Sequence, residues 1–126
     1  MRRCVLVVDD ETDFIATYER LLRRQGYDVV TATSRATGLA ALAGESPDLV
    51  ISDLRLPDGD GLDVVRAARG VRNSMPIIVV TGYPSDDTRR AAQAAGATTF
   101  LAKPFTATVL LAAIRSGLDG SAGNAT

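Results

Sequence analysis

The sequence predicts an α/β fold, a parallel sheet with helices on both faces, and three observations support this. Five short apolar runs rich in Val or Ile recur along the 126 residues. Segments of helical period separate them. Glycine or capping residues stand at most of the junctions. Strands that alternate strictly with helices pair in parallel and are covered on both sides.

The first strand is "CVLVV" (4–8), followed by "DFIATYERLLRRQ", where Phe14, Tyr18, Leu21 and Leu22 recur at i, i+4, i+7 and i+8 as on one face of a helix. "YDVVTA" (27–32) is the second strand, and "RATGLAALAG" offers Ala36, Leu39, Ala40 and Ala43 as its helical stripe. The third strand, "DLVIS" (48–52), precedes "GLDVVRAARG" with Leu62, Val65 and Ala68. "PIIVV" (76–80) and "TFLA" (99–102) complete the strands, and "TATVLLAAIRSGL" closes with Val109, Leu110, Ala113 and Ile114. These short runs suit strands buried on both faces.

Ser34 and Ser85 stand where helix N-caps are wanted, with Pro84 discouraging helix before the second. Gly26, Gly44, Gly70 and Gly96 fall where helices should stop in a left-handed residue. One domain over 1–118 follows, with no internal repeat. The small, polar residues 119–126 are expected to form a flexible tail or the start of a linker to a further domain.

Composition narrows the chemistry. There is no histidine, which excludes Ser-His-Asp and Cys-His catalysis and nearly all zinc sites. Cys4 is the only cysteine and reads as a small hydrophobe in the first strand. No apolar run approaches the roughly 20 residues of a membrane helix. The start is basic, but the apolar stretch after it is too short for a signal peptide and ends in acid, so a cytoplasmic location is expected. A net charge of −1 gives no reason to expect direct nucleic-acid binding.

Ligands in open α/β sheets bind beyond the carboxyl ends of the strands. Asp9 and Asp10 end the first strand, Asp53 the third, Thr81 the fourth and Lys103 the fifth. Two unscreened carboxylates about 4 Å apart repel by roughly 4 kcal/mol at an effective dielectric of 20. A cation is therefore wanted. Three carboxylates suit a hard divalent ion: magnesium, calcium or manganese. Lys103 is the one lysine among 14 basic residues, placed between a strand and Pro104. An ammonium is a compact point charge that approaches an anion where a guanidinium would not fit. Each residue alone has a plainer reading as a cap, turn or packing residue; their joint occurrence at four strand ends does not.

As a set, "VVDD", "ISDLRLPDGDG", "VVTGY" and "AGATTFLAKPF" resemble the receiver domain of two-component response regulators, chemotaxis-regulator-like, over about residues 3–118. The resemblance implies a flavodoxin-like doubly wound (βα)5 fold of strand order 2-1-3-4-5, an order that general accounts illustrate with a receiver protein. It implies that Asp53 accepts a phosphoryl group from a sensor histidine kinase or phosphotransfer protein. Mg²⁺, or Mn²⁺ in its place, would be bound by Asp10, Asp53 and the backbone carbonyl of Arg55, with Asp9 acting largely through water. Thr81 and Lys103 would contact the phosphoryl group, and the Lys103–Pro104 bond would be cis. Thr81 and Phe100 would be the switch pair, Phe100 standing where many relatives have tyrosine.

The same resemblance makes the chain a phosphoacceptor that assists its own phosphorylation and autodephosphorylation, rather than an enzyme. Its output surface would be the fourth helix, fifth strand and fifth helix, where Arg89, Arg90 and Gln93 are expected to be exposed. That surface would act on an output domain or partner protein, transcriptional regulation being the expected output, or form a phosphorylation-dependent homodimer. Arg55 and Tyr83 each lie two residues beyond a site residue and are expected to tune the phosphorylated lifetime. The alternatives are a receiver-like module that binds partners without phosphate and an aspartyl-phosphate phosphatase. The latter would want an Asp-x-Asp pair on one loop and an inserted cap. An FMN binder is disfavoured because "VDDETD" would repel phosphate.

Overall fold

The computed structural model describes residues 2–124. Its elements alternate: β1 (Cys4–Val8), α1 (Thr12–Arg24), β2 (Asp28–Ala32), α2 (Arg35–Glu45), β3 (Leu49–Asp53), α3 (Leu62–Val71), β4 (Ile77–Thr81), α4 (Asp86–Ala95), β5 (Thr99–Ala102) and α5 (Ala107–Asn124). The five strands form one parallel sheet in the order β2-β1-β3-β4-β5. This is the flavodoxin-like arrangement. Between β3 and α3, Arg55–Leu56 and Gly59–Asp60 pair antiparallel in a tight hairpin that periodicity did not signal.

Period-two alternation divides the strand side chains between two cores. Val5, Val7, Ile51, Ile78 and Val80 face α1 and α5, where Tyr18, Leu22, Leu110 and Ile114 are buried. Leu6, Val8, Val50, Ile77 and Val79 face the other side, against Leu42, Val64, Val65, Ala68 and Ala92. Burying such a side chain fully contributes about 1.5–3 kcal/mol, so the central strands hold the sheet together.

Helix stripes match expectation in α1 and α3 but not throughout. In α2 the buried face is Gly38 and Leu42, while Ala36, Ala40 and Ala43 are exposed. Gly38 lies so close to Val8 that a Cβ there would press on its methyl groups, and this contact sets the helix's rotation. Val109 faces outward in α5, beside buried Leu110 and Ile114. The described helix runs past residue 118, and residues 125 and 126 of the expected tail lie outside the described residues.

Ser34 and Ser85 both cap as expected, each in a reciprocal box with the threonine three residues on, Thr37 and Thr88. Gly26 and Gly96 are left-handed, whereas Gly44 and Gly70 lie inside helices and Ser46 takes the left-handed position after α2. No helix among the described residues is long and apolar enough to cross a membrane.

Candidate functional site

Parallel pairing brings the carboxyl ends of β1, β3, β4 and β5 to one edge. Asp9 follows β1 and is fully buried, while neighbouring Asp10 is exposed. Asp53 ends β3, also buried. Carboxylate oxygens of Asp9, Asp10 and Asp53 lie within 4.8 Å of one another.

Lys103, whose side chain is only 6% exposed, reaches across from β5. Its Nζ donates to Asp9 Oδ2 at 2.8 Å, Asp53 Oδ2 at 2.9 Å and Glu11 Oε1 at 3.0 Å. It also lies 4.3 Å from the centre of the Phe14 ring. The Lys103–Pro104 peptide bond is cis. Neither Glu11 nor Phe14 was singled out from sequence as a site residue. Adjacency to the acid pair was the available signal for Glu11; Phe14 read only as part of a core stripe.

Electrostatics follow from this geometry. Burial pushes the Asp9 carboxyl up, partly offset by its hydrogen bonds from Lys103 and from the Glu11 backbone N–H at 2.9 Å. Burial also disfavours the Lys103 ammonium, but bonds to Asp9, Asp53 and Glu11 outweigh that and hold its pKa above the ordinary lysine value. The one ammonium faces the carboxylates of Asp9, Asp53 and Glu11, so the cluster keeps an excess of negative charge, and both Asp9 oxygens are already engaged. Among the described residues Asp10 has no side-chain hydrogen bond or ion pair.

The donor set suits a hard cation. Carboxylate oxygens on three residues converge, one of them without a partner among the described residues, and none of the three is a soft ligand. A backbone constraint supports the same edge: a Cβ at Gly61 would collide with the Asp53 carbonyl, and Gly61 N–H donates to Leu54 O at 2.8 Å. Glycine at position 61 lets the β3–α3 loop fold tightly against the strand end. Asp58 in that loop accepts from the N–H groups of Arg35 and Ala36 at 2.7 and 2.9 Å, fastening it to the start of α2.

Thr81 is buried at the end of β4, its hydroxyl oxygen accepting from Tyr83 N–H at 3.0 Å. Arg55 and Tyr83 are exposed and stacked, guanidinium over ring, 4.3 Å to the centroid. Both line a hollow of about 240 Å³ with Asp10, Glu11 and Asp53. Phe100 is not brought to the acids. It sits half-buried on β5 with the Arg89 guanidinium 4.9 Å from its ring centre. Arg89, Arg90 and Gln93 are exposed on α4.

Comparison with known proteins agrees with this arrangement. A family model described as the response regulator receiver domain matches residues 5–115. The chain is 38% identical over 122 residues to the transcriptional regulatory protein PrrA of Mycobacterium tuberculosis, covering 97% of this chain and 52% of that protein. It is 41% identical over 112 residues to the acid tolerance regulatory protein ActR of Rhizobium meliloti, covering 89% and 58%. The chain thus spans about half the length of the curated relatives it matches. Among solved structures, a CheY-like response regulator receiver domain protein from Methanospirillum hungatei superposes with a TM-score of 0.95 at 31% identity, covering 98% of this chain and 99% of that one. A response regulator from Burkholderia pseudomallei, solved with a phosphorylated aspartic acid, calcium ion and citrate, gives 0.85 at 31%, covering 98% and 73%.

Proposed function

The chain belongs to the response regulator receiver domain family, and from that premise we propose that Asp53 is its phosphoacceptor in a Mg²⁺-dependent two-component relay. The observation that carries this reading is Lys103, which joins Asp9 to Asp53 through its single ammonium. An oxygen of Asp53 attacks the phosphorus of a phosphohistidine on a partner kinase or phosphotransfer protein. The P–N bond breaks and its electron pair stays on the imidazole. The protein's task in such a transfer is positioning and charge stabilisation.

Asp10, Asp53 and the Arg55 backbone carbonyl would hold the ion, with Asp9 acting through water. When bound, Mg²⁺ neutralises charge on the transferring oxygens. Lys103 exchanges a carboxylate for a phosphoryl oxygen and supplies further positive charge. Arg55 and Tyr83, stacked over the hollow beside Asp53, limit water access to the product and so set its lifetime.

Phosphorylation adds roughly −1.5 to −2 of charge, by analogy with other phosphorylated side chains. Thr81 turns its hydroxyl toward that charge and gives up the bond from Tyr83 N–H. The loop it pulls leads into α4, a helix whose one fully buried residue is Ala92. Phe100 moves inward and leaves Arg89, changing the α4-β5-α5 face presented to an output domain, a partner or a second copy. A change from 1:99 to 99:1 needs about 5.5 kcal/mol of differential stabilisation. The relatives PrrA and ActR are named as regulatory proteins, PrrA as transcriptional, which supports a transcriptional output.

The test is intact mass after incubation with Mg²⁺ and acetyl phosphate. One phosphoryl group should add to the wild type and none to Asp53→Asn, nor to the wild type without metal. No addition under any condition, including with a kinase donor, would overturn the reading in favour of a phosphate-independent binding module.

A further inference from the structure

We propose that Phe14 is a positioning residue for Lys103, holding the ammonium at the site through the face of its ring while its N–H bonds change partners. This rests on the phosphoacceptor reading and extends it to a residue of α1. An ammonium has three N–H donors. In this structure all three have carboxylate acceptors, on Asp9, Asp53 and Glu11. To meet a phosphoryl oxygen, Lys103 must release at least one of them. During that exchange its long, flexible stem needs something that attracts the charge without occupying a donor.

An aromatic face does that. It attracts a cation through the ring quadrupole and takes no N–H. Phe14 is placed for it, its ring centre 4.3 Å from Nζ. Nor is the ring free to swing away. Its centroid is 6.3 Å from that of Tyr18 and 6.5 Å from that of Phe105, and those two are 6.0 Å apart, so the three form a packed triad. Phe105 lies two residues past Lys103, so the triad ties the lysine-bearing loop to α1. An aliphatic residue at position 14 would fill the space but leave the charge unattracted.

The chain's single lysine makes the test clean. Lysine labelled with ¹⁵N at the ε position gives one ammonium signal, and its proton exchange with water is measured by NMR in the metal-free protein. Phosphorylation by acetyl phosphate with saturating Mg²⁺ is measured in parallel on the full chain. The series is wild type, Phe14→Leu, Phe14→Tyr, and Phe14 replaced by mono-, di- and trifluorophenylalanine, which weaken the ring's negative face while nearly keeping its shape.

The expected result is faster ammonium exchange and roughly tenfold slower phosphorylation in Phe14→Leu. Fluorination should give a graded loss, and Phe14→Tyr should recover both readouts with unchanged Mg²⁺ affinity. Should Phe14→Leu fold poorly, the fluorinated series carries the test. Flat exchange and flat rates across that series, with the wild type still phosphorylated, would reduce Phe14 to a packing residue. A wild type that takes no phosphate overturns the phosphoacceptor reading instead, and the positioning role then stands or falls on the exchange series.

Discussion

The Arg55 guanidinium lies over the Tyr83 ring, 4.3 Å from its centre, although the two residues come from loops on different strands. Tyr83 is 67% exposed, so a favourable contact is what keeps so large a ring at this place. An exposed pair of this kind contributes about 0.5–1 kcal/mol. Removing either partner should therefore uncover the hollow beside Asp53 and speed loss of the phosphoryl group by about two- to fivefold. In a double-mutant cycle, Arg55→Ala and Tyr83→Ala should be non-additive. Unchanged decay in both single variants would refute the lifetime role.

Binding of a divalent ion at Asp10 and Asp53, with Asp9 acting through water, should stabilise the fold. At ten times its dissociation constant Mg²⁺ adds about 1.4 kcal/mol, visible as a rise in thermal midpoint. Asp10→Asn should abolish most of that rise while costing little without metal, because Asp10 is exposed and makes no side-chain bond among the described residues. A midpoint that climbs equally in the variant would place the ion elsewhere.

Tyr18 carries the one buried side-chain polar atom without a hydrogen-bond partner among the described residues, its hydroxyl. Burial also pushes that hydroxyl's pKa up, so it stays protonated and uncharged at ordinary pH. Leaving a buried hydroxyl unpaired costs about 1–3 kcal/mol. Tyr18→Phe should keep the ring triad and raise stability by about 1 kcal/mol in urea unfolding. A loss of stability would reveal a partner for the hydroxyl, such as an internal water.

Asp58 gives a pH dependence of definite sign. Backbone N–H groups of Ala36 and Arg35 lower its pKa below the ordinary aspartate value. A depressed folded pKa contributes stability that is fully present above the unfolded value, about 3.9, and is lost as pH falls through the lower folded value. Asp58→Asn should thus be less stable than wild type at pH 7, with the gap closing below about pH 4. A gap that persists unchanged at pH 2.5 would contradict the assignment.

The sheet and the acid–lysine core were legible because both depend on patterns that survive folding unchanged. Alternation of strand and helix points to a parallel sheet, the resemblance supplies the strand order, and that order carries Asp9, Asp53, Thr81 and Lys103 to one edge. The serine caps were legible for a similar reason, since Ser34 and Ser85 act on N–H groups within their own turn. Gly44 misled because a glycine permits a helix end without requiring one; α2 continues over it to Glu45. The α2 stripe failed because its residues are nearly all small, so tertiary contact of Gly38 with Val8 decides the rotation. Glu11 and Phe14 escaped notice at the site because their partner is 92 and 89 positions away along the chain, respectively.

Asp58 fastens the loop after Asp53 to α2 and the Arg35–Asp63 ion pair at 2.7 Å ties α3 to the same helix, while α4 on the other flank buries Ala92 fully, has Arg89 against the Phe100 ring and meets Arg69, which bonds the Gly96 carbonyl, at its far end. The anchorage of the two flanks is therefore lopsided. Under the proposed relay, a push delivered at Asp53 should meet a firmer wall on the α2 side than on the α4 side. On that proposal the frame would bias which flank yields.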